Sequence, residues 1–191
     1  MLKIGITGGI GSGKSLVSKI LQSMNFPVFN SDLEARKILT ENAAIREELI
    51  LLFGEEVYTN KELNKGFLAN IIFNDEVALT KINTIVHPQV RQAFREFAKV
   101  QSSKLVFNEA AIIFESGGHQ QLDKTILISA PEALRLERVM KRDNSTKEQV
   151  LARMNKQWSD EKKRALADFE IVNDGQEPLV NQIEEVLMQL V

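Results

Sequence analysis

Eight consecutive residues, Gly8-Gly9-Ile10-Gly11-Ser12-Gly13-Lys14-Ser15, constrain this chain more than any other stretch. They match the G-x-x-x-x-G-K-S/T spacing in full. An apolar run over residues 2–6 precedes them. Residues 14–24 follow, with Leu16, Val17, Ile20, Leu21 and Met24 on one helical face. Strand, glycine-rich turn and helix in that order make a phosphate cradle. The glycines let successive backbone N–H groups approach phosphate oxygens without interference from a Cβ, and the helix adds its positive N-terminal end. On this reading Lys14 neutralises charge near the β and γ phosphates and the Ser15 hydroxyl ligates Mg²⁺.

The remaining composition narrows the classes open to such a chain. At 191 residues with 43% hydrophobic and 26% charged side chains it has the profile of one ordinary globular domain. A net charge of −2 gives no general basic excess for nucleic acid. The absence of cysteine removes disulfide frameworks, thiolate metal sites and cysteine nucleophiles, and suits a reducing compartment. The longest apolar runs are too short to cross a bilayer and the first residues lack a signal-peptide pattern, so a cytoplasmic protein without membrane contact is expected. His87 and His119 lie far apart without a ligand pattern, so no protein-held structural metal is expected.

Further strands are expected at residues 28–29, 105–107, 125–128 and 169–172, separated by helical patterns. Ser31 and Glu34 read as a capping box, Asn64 and Asp75 as further caps, and Gly54 as a helix stop. His87-Pro88 should end or interrupt the helix begun at Asp75. Pro131 should open a helix in its first turn, and Ser145 with Glu148 should cap the next. His119 reads as an exposed loop residue. Strands alternating with helices indicate a parallel sheet covered on both faces, with a helical lobe inserted after the second strand. Ligands of such sheets gather at the carboxyl ends of the strands, where residues 7–15, 30–32, 108–115 and 173–175 fall.

The phosphate loop specifies a nucleotide and leaves the reaction open. The Asn-Lys-x-Asp and Asp-x-x-Gly elements of Ras-type GTPases are missing, and the size disfavours a motor or transporter. Asp32, directly after the second strand, could accept a proton from an attacking hydroxyl or cap its helix. Arg138 and Arg142, four residues apart, share a helical face and could stabilise transferring phosphate. A small phosphotransferase fits best. Other small-molecule or nucleoside monophosphate kinases, and a non-catalytic ATP-binding regulator, stand as alternatives.

A series of elements in one order along the chain resembles the dephospho-CoA kinase family. These are the opening at residues 6–15; Asp32, Ala35 and Arg36; His87-Pro88; Ile113-Phe114-Glu115; Arg138, Arg142 and Asp143; Arg153 and Gln157; and Ala167-Asp168 with Asn173 and Gly175. The resemblance implies a three-layer α/β/α P-loop NTPase fold with a five-stranded parallel sheet. It divides one domain into a nucleotide-binding core (about 1–32, 101–134 and 165–191), a helical CoA-binding lobe (about 33–100) and a lid (about 135–164). It implies transfer of the ATP γ-phosphate to the ribose 3′-hydroxyl of dephospho-CoA, with Mg²⁺ accompanying ATP. Asp32 becomes the general base, with Lys14, Arg138 and Arg142 assisting. ATP is bound by residues 8–15 together with Leu16 and Asn173. Arg36, His87, Glu115 and Arg153 join Asp32 as acceptor contacts, and Glu109 binds Mg²⁺ through water.

Leu16, Asn30, Ala111 and Arg135 depart from the family's usual Thr, Asp, Pro and Gln. Oligomeric state leaves no trace in the sequence. The total charge conceals an asymmetry: residues 135–164 carry ten basic and five acidic side chains, a net of +5, which leaves −7 to the remainder. The surplus falls on the expected lid, where anionic substrates would draw on it.

Overall fold

The computed structural model describes residues 1–60 and 62–190. Strand β1 (Leu2–Thr7) runs through the phosphate loop into α1 (Lys14–Ser23), and β2 (Val28–Asn30) leads directly into α2 (Ser31–Glu41). Helix α3 (Ala43–Phe53) is followed by a small antiparallel pair, β3 (Tyr58–Thr59) and β4 (Glu62–Leu63), then α4 (Lys65–Asn74) and the long α5 (Glu76–Lys99). The chain continues through β5 (Leu105–Glu109), β6 (Lys124–Ser129), α6 (Glu132–Asp143), α7 (Lys147–Met154), α8 (Asp160–Arg164), β7 (Phe169–Val172) and α9 (Leu179–Leu190).

Two compact units result: Met1–Asn30 with the chain from Gln101 onward, and Ser31–Val100. The first holds a five-stranded parallel sheet in the order β2-β5-β1-β6-β7, flanked by helices in three layers. Its strands are runs of Ile, Leu, Val and Phe because both faces are covered. Ile4, Ile6, Phe107, Ile126, Ile128 and Ile171 pack with Val17 and Leu21 of α1 and with Ile183, Val186 and Leu190 of α9. Register sets Ile6 and Asn30 each opposite Glu109, which brings the carboxyl ends of β1, β5 and β2 side by side. A smaller cluster of Val139, Val150 and Met154 joins α6 to α7, with Ile10 of the phosphate loop packed against it.

The second unit is mostly helical, as its patterning indicates. Asn42, Asn64 and Asp75 cap α3, α4 and α5 through their side chains. Helix α5 does not stop at Pro88: it continues unbroken to Lys99. A proline there removes one hydrogen bond and crowds the preceding turn, at about 3 kcal/mol. The apolar stripe of Ala78, Ile82, Val86, Val90, Phe94 and Ala98 is buried on both sides of the proline, and that burial outweighs the loss. The β3–β4 pair, two residues per strand, is too short to give a periodic signal.

Four further local expectations are corrected. Leu16 is 49% exposed, because the side of α1 facing the sheet is carried by Val17 and Leu21. Pro131 is the N-cap of α6, one position before the first turn. Helix α7 is capped by Thr146 with Gln149 in place of Ser145 with Glu148. Both pairs have capping-box spacing, and the Thr146 hydroxyl is the one that accepts the Gln149 N–H. His119 is half-buried, its ring tilted 5.3 Å from Phe114.

Candidate active site

The phosphate loop is shaped by backbone and by neighbours lying far away in sequence. Gly13 adopts the left-handed conformation (φ 102°) as it enters α1, and a Cβ there would collide with the Asn173 side-chain amide. That closeness has a purpose: Asn173 Nδ2 donates to Ser12 O at 2.8 Å in a buried contact, tying the loop to the end of β7. Lys14 is 9% exposed, and its Nζ donates to Gly8 O (2.9 Å) and Gly9 O (3.3 Å), so the ammonium lies across the loop. Ser12 Oγ is buried without a hydrogen-bond partner. The Leu16 N–H donates to Gly13 O at 2.9 Å, the first bond of α1.

Ser15, Glu109 and Asn30 form one chain of hydrogen bonds. Ser15 Oγ donates to Glu109 Oε1 at 2.8 Å, and Asn30 Nδ2 donates to Glu109 Oε2 at 3.0 Å. The sheet register produces this cluster. Glu109 ends β5 between β1, which feeds the loop, and β2, which ends in Asn30. A hydroxyl beside a carboxylate is the hard-oxygen chemistry that Mg²⁺ takes, so these residues fit that ion. Among the described residues no group of three or more His, Asp or Glu side chains converges as a metal cage.

The arginines after β6 divide into two sets. Arg138 reaches the loop: its NH1 donates to Gly11 O (3.5 Å), and its NH2 to Asn173 O (3.1 Å) and Oδ1 (3.4 Å). Arg142 is instead 61% exposed and grips Asp143 with two hydrogen bonds of 2.7 and 3.0 Å, while Arg153 pairs with the same carboxylate at 2.8 Å. These guanidinium groups, Arg142 first and then Arg153, hold the Asp143 carboxyl well below the usual carboxylate range. Arg135, a departure from the pattern the sequence resembles, and Gln157, a match to it, bind the loop itself. Arg135 Nε donates to Ile10 O (3.1 Å), and the Ile10 N–H donates to Gln157 Oε1 (2.8 Å).

Glu115 is bound up with the α8 region. Its Oε1 pairs with Lys163 Nζ at 2.9 Å and accepts the Trp158 N–H at 3.0 Å. Lys163 is fully buried and also donates to Ala111 O at 3.0 Å. Glu115 therefore anchors chain segments to each other within the first unit. Lys163 has no spacing signature and was not foreseen from the sequence.

Asp32, Arg36 and His87 belong to the second unit. Asp32 lies in the first turn of α2, two residues beyond β2, and Arg36 is one turn further along, exposed to solvent. His87 sits within α5, half-buried; burial, then the nearby Arg91 charge, lowers its pKa and keeps the imidazole neutral near pH 7.

A phosphate loop joining the central strand of a five-stranded parallel sheet to its following helix defines the P-loop nucleotide-binding class. Comparisons with known proteins narrow this further. The family model described as Dephospho-CoA kinase matches residues 2–178. A Bacteroides fragilis protein named dephospho-CoA kinase is 43% identical over 187 residues, covering 97% of this chain and 91% of its own. The crystal structure of a Thermus thermophilus protein superposes with a TM-score of 0.89 at 37% identity, covering 100% of this chain and 98% of that one. The solved structure of dephospho-CoA kinase from Campylobacter jejuni gives 0.71 at 30% identity, covering 98% of this chain and 96% of that one. The chain belongs to the dephospho-CoA kinase family.

Proposed function

We propose that this protein transfers the γ-phosphate of ATP to the ribose 3′-hydroxyl of dephospho-CoA, giving coenzyme A and ADP. The observation that carries the reading is the family match over residues 2–178, a span that includes the phosphate loop, Asp32 and the lid arginines together. The loop's backbone N–H groups and Lys14 hold the nucleotide phosphates. Ser15, with Glu109 acting through water, would hold Mg²⁺, which when bound supplies positive charge to the phosphates. Asp32 accepts the proton of the 3′-hydroxyl as that oxygen bonds to the γ-phosphorus and the bond from phosphorus to the ADP oxygen breaks. Arg138, already on the loop, stabilises the charge on the transferring group. Arg142 reaches phosphate only by exchanging its bonds to Asp143. Arg36 and Arg153 hold acceptor phosphate, and His87 lines the CoA lobe formed by the second unit.

Glu115, proposed from the family pattern as an acceptor contact, is better supported as an anchor by its bonds to Lys163 and Trp158. The reaction suits the cytoplasm, where ATP is supplied. Among the described residues no helix is long and apolar enough to cross a membrane. A coupled ADP-release assay with dephospho-CoA, AMP, CMP and shikimate as separate acceptors tests the reading. Turnover is expected with dephospho-CoA, and turnover confined to another acceptor would overturn it.

A further inference from the structure

We propose that Arg135 is a positioning residue that fixes the tip of the phosphate loop for ATP, acting with Gln157 on the two backbone groups of Ile10. The Ile10 carbonyl accepts from Arg135 Nε at 3.1 Å, and the Ile10 N–H donates to Gln157 Oε1 at 2.8 Å. Both backbone groups at the tip are thus held by side chains 125 and 147 residues away. The Ile10 side chain packs on the cluster of Val139, Val150 and Met154, so the tip is also seated by apolar contact.

The guanidinium is itself held. Arg135 NH1 pairs with Asp160 Oδ2 at 2.9 Å, with both side chains about nine-tenths buried. A Cβ on Gly9 would meet the Arg135 guanidinium, so the bare backbone there leaves the guanidinium its place beside the loop. A fixed planar fork can serve Ile10 O from Nε while serving Asp160 from NH1. A lysine ammonium, a single point of charge, cannot occupy both places. The guanidinium therefore comes with a carboxylate matched to it: Asp160 Oδ2 accepts from Arg135 NH1, while Asp160 Oδ1 is buried without a hydrogen-bond partner.

A pinned tip lowers the ordering cost of ATP binding, because the loop's N–H groups are already aimed. The inference rests on the kinase reading only for its nucleotide, and its primary measurement needs no acceptor. Titration calorimetry gives the Kd for ATP of wild type, Arg135→Lys and the charge-balanced double variant Arg135→Gln with Asp160→Asn. The double variant leaves no carboxylate buried alone and keeps the test open if the lysine variant fails to fold. Losing a charge-assisted hydrogen bond to the tip should weaken ATP about tenfold. The KM for dephospho-CoA should stay near the wild-type value, while Tm falls by a few degrees because a buried pair is disturbed. Gln157→Ala should weaken ATP similarly and combine with Arg135→Lys less than multiplicatively, since both act on Ile10. An ATP Kd within twofold of wild type in a folded variant overturns the proposal, as does parallel loss of both substrates' affinities with Tm. Failure of the wild type to use dephospho-CoA would remove the acceptor assignment and leave the ATP comparison intact.

Discussion

Asn173 shows how much of this site depends on single contacts between distant residues. Its amide ties Ser12 O to the end of β7, and Gly13 is without a Cβ where that amide passes. Asn173→Ala should cost about 1–2 kcal/mol in denaturant unfolding, the price of a buried carbonyl left unpaired, and should weaken ATP binding as well. Asp32→Asn should bind both substrates, measured by calorimetry, yet lose turnover by orders of magnitude, about 10²–10⁴-fold for a positioned general base. Near-normal turnover would remove Asp32 as the base. Arg138→Ala should lower kcat far more than Arg142→Ala, because Arg138 touches Gly11 and Asn173 while Arg142 is engaged with Asp143. Steady-state kinetics of the pair decides between them. The glycines, Lys14 and Ser15 were legible because their spacing alone encodes a local structure. Arg135 and Lys163 were not, because each binds main-chain carbonyls brought close only by the sheet, and a carbonyl carries no residue identity.

At the scale of elements, the strands and most helix starts follow from apolar runs and capping residues, which are local. What the sequence misplaced was decided by packing. Pro88 signals a break, yet the buried stripe from Ala78 to Ala98 keeps α5 continuous. Pro88→Ala should therefore raise Tm by several degrees, since relief of about 3 kcal/mol of helix cost exceeds the unfolded-state stiffness that is lost. Thermal unfolding checks it, and an unchanged or lower Tm would contradict it. The loop between α6 and α7 is held by the Arg142–Asp143–Arg153 cluster. Because the folded-state pKa of Asp143 is depressed, its contribution is present above the unfolded value of about 4 and is lost as pH falls toward the folded one. Asp143→Asn should lower stability at pH 7 by no more than about 1 kcal/mol, the pair being partly exposed. The gap to wild type should narrow on acidification below pH 4, as followed by Tm across a pH series.

Across the whole molecule, near-neutral total charge conceals a basic segment, and the structure shows how that surplus is distributed. Arg135, Arg142, Arg153, Lys163 and Arg164 all form ion pairs, with Lys163 and Arg164 pairing to Glu115 and Glu170 outside the segment. Much of the positive charge read as a substrate-facing excess therefore ties α6, α7 and α8 to one another, to Glu115 and, through Arg164, to Glu170 of β7, while Arg135 and Arg138 also bind the loop. Fold class was legible because alternating strands and helices around a phosphate loop admit few architectures. The acceptor was legible only through the family resemblance, since acceptor recognition has no spacing rule of its own. The most direct test of the central claim is product identity: incubate the protein with ATP, Mg²⁺ and dephospho-CoA, then quantify ADP and locate the new phosphate by ³¹P NMR. One ADP is expected for each coenzyme A, with the phosphate on the ribose 3′ oxygen. ADP formation independent of dephospho-CoA, or a phosphate at any other position, would contradict the account.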